Sequence, residues 1–176
     1  MKLYLCGPIA GCTDSECKDW RDLVMQRYPD SHNPMVRDAR AGSVGLEAHI
    51  VENDKLDIMH CDVVLVYYTK PSVGTSMEIL FSWEQHKPVI VVDAAGAGDS
   101  LSPWIRHHSM AVVKDLESAF MRIDAMVRAA RVAISPRQTQ MDDLSAARAM
   151  TPDPDKSEQV ERAHHDRPPQ PWRTHA

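Results

Sequence analysis

The chain has 176 residues, of which 43% are hydrophobic, with a formal net charge of −5 at pH 7 and a pI of about 6.0. This length predicts one domain with an extension, and the acidic balance argues against nucleic acid as a partner. No apolar run approaches the roughly 20 residues of a membrane span, and the first residues lack the architecture of a signal peptide. We therefore expect a cytoplasmic protein that does not interact with membranes.

Short apolar runs alternate along the chain with segments of helical periodicity. In chain order, these predict strand 2–6, helix 13–28, strand 31–36, helix 44–60, strand 62–68, helix 77–86, strand 89–92, short helix 101–106, strand 110–113 and helix 116–132. The second strand is weak because Pro34 interrupts it. Thr13 or Ser15 is expected to cap the first helix.

This alternation is typical of a parallel sheet with helices on both faces. We predict an α/β fold: a doubly wound, flavodoxin- or Rossmann-like domain with a five-stranded parallel sheet, over residues 1–133. Residues 134–176 are rich in Pro, Arg, Asp, Gln and His and contain few large apolar residues. Such a segment buries little surface, so we predict a flexible, disordered tail.

Glu78 is the first candidate for chemistry. The predicted strand 62–68 leads through a loop rich in Pro, Ser and Gly into a helix that begins at residue 77. Glu78 would then lie in the first helical turn, at the edge of the sheet where ligands bind in such folds. A carboxylate at that position also simply stabilises the helix dipole, which is the alternative interpretation.

Four other polar residues lie near predicted strand ends or loops: Tyr4, Asp54, Ser72 and Ser102. Two carboxylates and a tyrosine suit chemistry at a glycosidic carbon, where one carboxylate stabilises the anomeric carbon and a second acid protonates the leaving group. Serines beside a glycine-bearing loop and a helix N-terminus suit a phosphate. From spacing alone, Asp54 could equally be a solvated helix residue, Tyr4 a core residue, and the serines caps or turn residues.

The four cysteines form no C-x-x-C pair and have no zinc-ligand spacing with histidine. Cys6 and Cys61 lie in apolar surroundings, which predicts reduced core thiols. No metal and no other cofactor is expected, because the candidate chemistry uses carboxylates.

The sequence resembles the nucleoside 2-deoxyribosyltransferase superfamily, and within it most closely the 2'-deoxynucleoside 5'-monophosphate N-glycosidases (Rcl family). Four segments carry the resemblance, in one order and with family-like gaps: LYLCGPI at 3–9, END at 52–54 ahead of CDVV at 61–64, KPSVG at 70–74 with Glu78, and LSPWIR at 101–106. It extends over roughly residues 2–115. The joint spacing of the segments is the specific signal.

The resemblance implies catalytic roles for three residues. Glu78 would act at C1' of the sugar, through a covalent intermediate or its close electrostatic equivalent. Asp54 would protonate or orient the departing base, and Tyr4 would position the Glu78 carboxylate.

The resemblance also implies how the substrate is bound. Ser72, Gly74 and Ser102 would bind the 5'-phosphate, with Ser102 contributed by a neighbouring subunit, so a homodimer with a shared active site is implied. The turn after the first strand, with Gly7 and Ile9, would contact the substrate.

The predicted activity is therefore hydrolysis of the N-glycosidic bond of a (deoxy)nucleoside 5'-monophosphate. Pro8 and Ala10 stand where the glycosidases carry Ser and Arg, and the Gly74-Thr75-x-x-Glu78 pattern is also similar to the transferases and to ribonucleotide hydrolases. Two alternatives thus remain: a nucleoside 2-deoxyribosyltransferase that exchanges bases, and a nucleotide-binding module without catalysis.

Overall fold

The computed structural model of the protein describes residues 1–132. Residues Met1–Arg128 form one compact unit, and a second unit spans Ala129–Ala176, of which only helical residues 129–132 are described. The predicted tail, 134–176, lies outside the described residues, so its boundary stays a prediction. No helix within the described part combines the length and apolar character needed to cross a membrane. The cytoplasmic location stays a prediction.

Strands and helices alternate along the described chain, as predicted. The strands are β1 (Leu3–Cys6), β2 (Val63–Tyr68), β3 (Val89–Asp93) and β4 (Ala111–Val113). They pair in parallel in the order β1-β2-β3-β4. The helices are α1 (Asp14–Arg27), α2 (Glu47–Met59), α3 (Val73–Glu84), α4 (Pro103–His107) and α5 (residues 116–132). The α/β class and the parallel sheet are confirmed.

The described sheet has four strands, and the predicted strand at 31–36 is wrong. Only His32 pairs with β1: its N–H donates to the Leu3 carbonyl at 2.7 Å, and its carbonyl accepts from the Leu5 N–H at 3.0 Å. Pro34 lacks an N–H and begins a 3-10 turn, Pro34–Arg37, which the Asn33 side chain caps. The segment therefore touches the outer edge of β1 at a single bridge and then turns away.

The sheet is covered on both faces. Leu3 and Leu5 of β1 belong to a core cluster with residues of α1 and α5. Tyr4 and Cys6 belong to the opposite cluster, which includes Ile58 of α2 and Ile79 of α3. Successive side chains of a strand point to opposite faces. This alternation puts Tyr4 and Cys6 together on the face that α2 and α3 cover.

The start of α3 differs from the prediction, and this changes the position of Glu78. Ser72 is the N-cap and accepts a hydrogen bond from the Thr75 N–H, so α3 begins at Val73 and not at residue 77. Glu78 therefore lies in the second turn, and the first turn contains no acidic residue. The glycine and β-branched residues of this turn have low helix propensity, which is why the sequence pattern read as a loop.

Candidate active site

The Glu78 side chain reaches from α3 to β1, where two donors meet its carboxylate. The Tyr4 hydroxyl donates to Oε1 at 3.0 Å. The Cys6 thiol donates to Oε2 at 2.9 Å. Because Tyr4 and Cys6 are two residues apart on one strand, their side chains lie on the same face of the sheet, the face that α3 covers. Each oxygen of Glu78 therefore has its own donor, and the orientation of the group is fixed.

The carboxyl of Glu78 titrates near neutral pH. Burial raises the pKa of Glu78 to about 7. The hydrogen bonds from Cys6 and Tyr4 oppose this rise, whereas the negative charge of Asp54 adds to it. Burial and the neighbouring Glu78 charge raise the pKa of both Tyr4 and Cys6 well above their usual ranges. Both groups therefore stay protonated at neutral pH and act as donors.

Asp54 is the second carboxylate of the cluster. It lies on α2 with 18% of its side chain exposed, and Arg37 Nη2 donates to its Oδ1 at 3.3 Å. Burial raises the pKa of Asp54 above its ordinary value, and the Arg37 hydrogen bond and charge oppose that rise. The structure thus brings together the three residues that the sequence singled out for catalysis: Tyr4, Asp54 and Glu78.

A second acid on α2 completes a charged network beside Asp54. Asp57 accepts a hydrogen bond from the same Arg37 guanidinium, and its Oδ1 lies 3.2 Å from Nδ1 of His32. Asp57 is largely buried, with 17% of its side chain exposed. No sequence motif marks Arg37 as part of this network.

The turn after β1 is held by a buried cation that the sequence analysis missed. Arg21 of α1 is fully buried and donates to the backbone carbonyls of Leu5 at 3.2 Å, Cys17 at 2.6 Å and Gly7 at 3.0 Å. Its guanidinium lies 4.4 Å from the Trp20 ring centroid. The available signal was helical spacing, because positions 17, 20, 21 and 24 share the buried face of α1.

Gly7 and Ile9 lie in this turn, at the carboxyl end of β1. A Cβ at Gly7 would lie 2.9 Å from the Tyr67 carbonyl oxygen and 3.1 Å from the Trp20 ring. Close packing against β2 is therefore a sufficient reason for glycine here, whereas the sequence had suggested the approach of a ligand. Ile9 is half-buried, and its carbonyl accepts from the Cys12 N–H at 3.1 Å. Substrate contact by either residue stays a prediction.

Ser72 and Gly74 lie at the N-terminal end of α3. The Ser72 hydroxyl accepts from the Thr75 N–H at 3.4 Å, a long cap interaction. A Cβ at Gly74 would meet no atom within 4 Å, so the backbone here faces open space. These residues occupy the first turn of the helix that carries Glu78.

Ser102 lies elsewhere, beside a cavity of about 370 Å³ between α3 and α4. Met77, Trp104 and His108 also line this cavity, and the Ser102 hydroxyl makes no capping hydrogen bond to α4. Within residues 1–132, no hydrogen bond joins Ser102 to Ser72 or to Glu78. One chain therefore does not bring the two predicted phosphate-binding serines together through direct contacts.

Between residues 1 and 132, no group of three or more His, Cys, Asp and Glu side chains has an arrangement suited to a metal ion. The groups near the Glu78 carboxylate are the Tyr4 hydroxyl, the Cys6 thiol and the Asp54 carboxyl. Their chemistry is proton donation and hydrogen bonding. The absence of a cofactor stays a prediction.

Comparison with known proteins places the chain in a family. The family model of nucleoside 2-deoxyribosyltransferases matches residues 3–102, a range that contains Tyr4, Asp54, Ser72, Glu78 and Ser102. No curated protein matches the chain. Enzymes of this family transfer or cleave the glycosyl group of small nucleoside substrates. Because the matched range covers more than half of the 176 residues, the chain belongs to the nucleoside 2-deoxyribosyltransferase family.

Proposed function

We propose that the protein hydrolyses the N-glycosidic bond of a (deoxy)nucleoside 5'-monophosphate, releasing the free base and the (deoxy)ribose 5-phosphate. The observation that carries this proposal is the carboxylate of Glu78, held by Tyr4 and Cys6 and flanked by the acidic group of Asp54. A fixed carboxylate beside a second acid suits an oxocarbenium-like transition state.

In the first step, the ionised Glu78 attacks C1' of the sugar. The C1'–N bond breaks, its electron pair stays on the base nitrogen, and Asp54 in its acid form supplies the proton that the base takes up. The raised pKa of Asp54 supports this role, because it increases the fraction of the protonated acid. The product of the step is the free base and a glycosyl ester on Glu78.

In the second step, water attacks C1' of the glycosyl ester. Asp54, now ionised, accepts a proton from that water, and the C1'–O bond to Glu78 breaks. The electron pair of that bond returns to the carboxylate, which accepts again from Tyr4 and Cys6. The sugar phosphate leaves, and both carboxyl groups have regained their starting protonation states.

The preference for a 5'-monophosphate rests on the first turn of α3. Ser72 and Gly74 belong to the N-terminal turn of a helix of 12 residues, whose N–H groups attract anions. The open space beside Gly74 leaves room for a phosphate to approach the backbone. Lys70 lies just before this turn, with Nζ 2.9 Å from the Gly11 carbonyl oxygen, and adds a positive charge nearby.

Ser102 of the partner subunit would complete the phosphate site in a homodimer. In support, the Ser102 hydroxyl makes no cap to its own helix, and the adjoining surface is apolar. Met77 is 61% exposed and Trp104 is 69% exposed. Exposed apolar side chains around a cavity are typical of an interface.

A substrate panel tests the activity. Purified protein is incubated with deoxynucleoside and ribonucleoside 5'-monophosphates and with the free nucleosides, and the released base is followed by chromatography. We expect base release from at least one monophosphate and little from the corresponding free nucleoside. Base release that is insensitive to the 5'-phosphate would contradict the assignment of Ser72 and Gly74.

Base exchange is the second candidate function, and the family match favours it directly. In that reaction, a second base replaces water at the glycosyl ester of Glu78. The panel is therefore repeated with a deoxynucleoside donor and a different free base. Formation of the new nucleoside, with no cleavage of any monophosphate, would establish transfer instead of hydrolysis.

Tight nucleotide binding by calorimetry without any product would instead indicate a binding module.

Glu78→Ala tests the nucleophile. We expect a loss of turnover of at least about 1,000-fold with the fold retained, as judged by circular dichroism and the unfolding midpoint. Glu84→Ala, an exposed carboxylate on the same helix, serves as the matched control and should retain activity. Substantial turnover by Glu78→Ala would remove this residue from the nucleophilic role.

Mixing two inactive variants tests the shared site. Glu78→Ala and Ser102→Ala homodimers are each expected to be impaired on a monophosphate. After subunit exchange, half of the dimers are mixed, and each mixed dimer has one site with both residues intact. Activity should therefore recover to about one quarter of the wild-type value. No recovery despite verified exchange by native mass spectrometry would contradict a site shared between subunits.

A further inference from the structure

Cys6 has a contact that its place in the core does not require. The residue is fully buried in the cluster beneath α2 and α3, as a core thiol should be. Its sulfur nevertheless lies 2.9 Å from Oε2 of Glu78 and 3.9 Å from the Thr75 carbonyl oxygen. The Glu78 carboxylate is thus the nearer acceptor for the thiol, and the Thr75 carbonyl oxygen is the more distant one.

We infer that Cys6 is a positioning residue: its thiol donates to Oε2 of Glu78 and, together with Tyr4 on Oε1, favours the ionised carboxylate and fixes its orientation. The inference rests on the proposed function for its catalytic consequence, because it assigns Cys6 a part in presenting the nucleophile. The hydrogen bond itself can be tested without turnover.

Cys61 provides an internal comparison. It belongs to the same core cluster and is 2% exposed, so it resembles Cys6 in size, burial and surroundings. Cys61 follows the end of α2, and its thiol donates to the carbonyl of Ile58 in the last turn of that helix at 3.1 Å. Cys61 therefore donates to a backbone carbonyl, whereas Cys6 donates to the carboxylate of Glu78, the proposed nucleophile.

The groups that face Glu78 come from three elements. Tyr4 and Cys6 on β1 donate directly, Asp54 on α2 contributes negative charge, and Arg21 on α1 contributes positive charge. Only the two β1 groups make direct hydrogen bonds to the carboxylate oxygens among the described residues. Removing one of them leaves one oxygen without its donor.

The protonation state of the thiol supports this direction of donation. Burial and the adjacent Glu78 charge raise the pKa of the Cys6 thiol well above its usual range, so the proton stays on sulfur while Glu78 ionises. A donor that interacts best with the ionised form stabilises that form. Loss of the donor should therefore raise the pKa of Glu78 further and reduce the fraction of nucleophile at neutral pH.

A titration of Glu78 tests this directly. Protein labelled with carbon-13 at the glutamate carboxyl carbons is titrated by NMR, and the Glu78 resonance is assigned by its loss in Glu78→Gln. In Cys6→Ala, we expect the midpoint to rise by about one pH unit. Cys6→Ser, which restores a donor, should return the midpoint toward the wild-type value. Cys61→Ala removes an equal thiol from the same core and should leave the midpoint unchanged.

An unchanged midpoint in Cys6→Ala, or an equal rise in Cys61→Ala, overturns the inference. If Cys6→Ala fails to fold, Cys6→Val fills the space of the thiol without a donor and carries the same expectation.

The pH dependence of turnover supplies the catalytic readout. Cys6→Ala should move the acidic limb of kcat/KM to higher pH, with about a tenfold loss at pH 6 that diminishes in alkaline solution. A purely structural role would lower the rate at all pH values without moving the limb, and would overturn the positioning role. If the wild-type protein cleaves no nucleotide, the proposed function fails, while the NMR titration still decides whether Cys6 controls Glu78.

Discussion

The Tyr4 hydroxyl donates to Glu78 Oε1 over 3.0 Å, across a separation of 74 residues in the chain. Tyr4 lies on β1, which pairs with β2, and Glu78 lies on α3, the helix that follows β2. The contact therefore exists because the chain places the first strand beside the second and folds the next helix over both.

Tyr4→Phe should weaken catalysis by removing one donor from the carboxylate. We expect kcat to fall about 10- to 100-fold. The acidic limb of the pH profile should move to higher pH, because loss of the hydrogen bond destabilises the ionised form of Glu78 and raises its pKa. The measurement is the pH dependence of kcat/KM on the best substrate of the panel.

Tyr28→Phe is the matched control for this substitution. Its hydroxyl donates to Asp124 at 2.7 Å, in the opposite core cluster and away from Glu78. It should change the pH profile little. An unaltered profile in Tyr4→Phe would show that its hydroxyl does not control Glu78.

Glu78→Gln should change how the free energy of unfolding depends on pH. The pKa of Glu78 rises from 4.5 to about 7 on folding, so the folded state binds more protons than the unfolded state between these values. The stability that this carboxyl contributes is present below pH 4.5 and is lost as the pH rises through about 7. Above this pH, ionisation of the Glu78 carboxyl lowers the free energy of unfolding by up to about 3 kcal/mol. Glutamine at this position does not ionise and avoids this loss.

Urea unfolding at pH 5 and pH 8 measures this effect. Relative to wild type, Glu78→Gln should gain about 1–3 kcal/mol of stability between the two pH values. Glu84→Gln, on the exposed end of α3, should show no such pH-dependent gain. A pH-independent difference for Glu78→Gln would mean that the carboxyl ionises as easily in the folded state as in the unfolded chain.

Arg37→Ala should impair catalysis through Asp54. Arg37 donates to both Asp54 and Asp57, so its loss leaves two neighbouring carboxyls without their cation and raises the pKa of Asp54 further. We expect kcat to fall about tenfold because Asp54 loses the hydrogen bond that orients it. The alkaline limb of the pH profile should move to higher pH, because an acid with a higher pKa stays protonated longer. Steady-state kinetics across pH provides the measurement.

Arg40→Ala is the control from the same loop region. Arg40 also interacts with two carboxylates, Asp14 and Asp38, but neither lies in the Glu78 cluster. Its removal should leave the pH profile unchanged. If both variants lose activity equally, the effect of Arg37 is a general loop effect and not a specific one on Asp54.

Gly7→Ala and Gly74→Ala should separate packing from phosphate binding. The new Cβ at Gly7 would lie 2.9 Å from the backbone oxygen of Tyr67, which requires a backbone shift. We expect a loss of about 2–3 kcal/mol in the free energy of unfolding. At Gly74 there is open space within a helix, so alanine should be neutral or stabilise by up to about 1 kcal/mol.

The activity of Gly74→Ala then reports on the phosphate. We expect KM for a monophosphate to rise severalfold, because the methyl group occupies the approach to the backbone of the first turn. An unchanged KM in a stable Gly74→Ala protein would exclude Gly74 from phosphate binding.

Much of the fold could be predicted because its signals are local. The apolar runs at 62–68 and 89–92 predict β2 and β3 to within a residue, and helical periodicity predicts α1, α2 and α5. The errors have local causes as well. A single proline reduced the expected strand at 31–36 to one bridge, and a serine cap started α3 before its apolar periodicity begins.

The catalytic candidates were predictable only in part. Residue type and predicted position made Tyr4, Asp54 and Glu78 candidates, and the family resemblance implied their catalytic roles. The structure brings the three residues together. Cys6 and Arg21 gave no functional signal, because a thiol in an apolar strand and an arginine on a helix are ordinary residues in isolation. Their significance lies in what faces them, which depends on the pairing of β1 and the packing of α1.

The sequence by itself determined most of the helices and strands and the alternation of Tyr4 and Cys6 with the leucines of β1. It also placed one acid in the helix before β2 and another in the helix after β2. Only the tertiary structure decided that one acid accepts from both β1 donors, and that its pKa lies near 7. The reason is physical: the alternation of a strand is set by local geometry, whereas the pKa of a carboxyl depends on burial and on neighbours that the fold brings from distant segments.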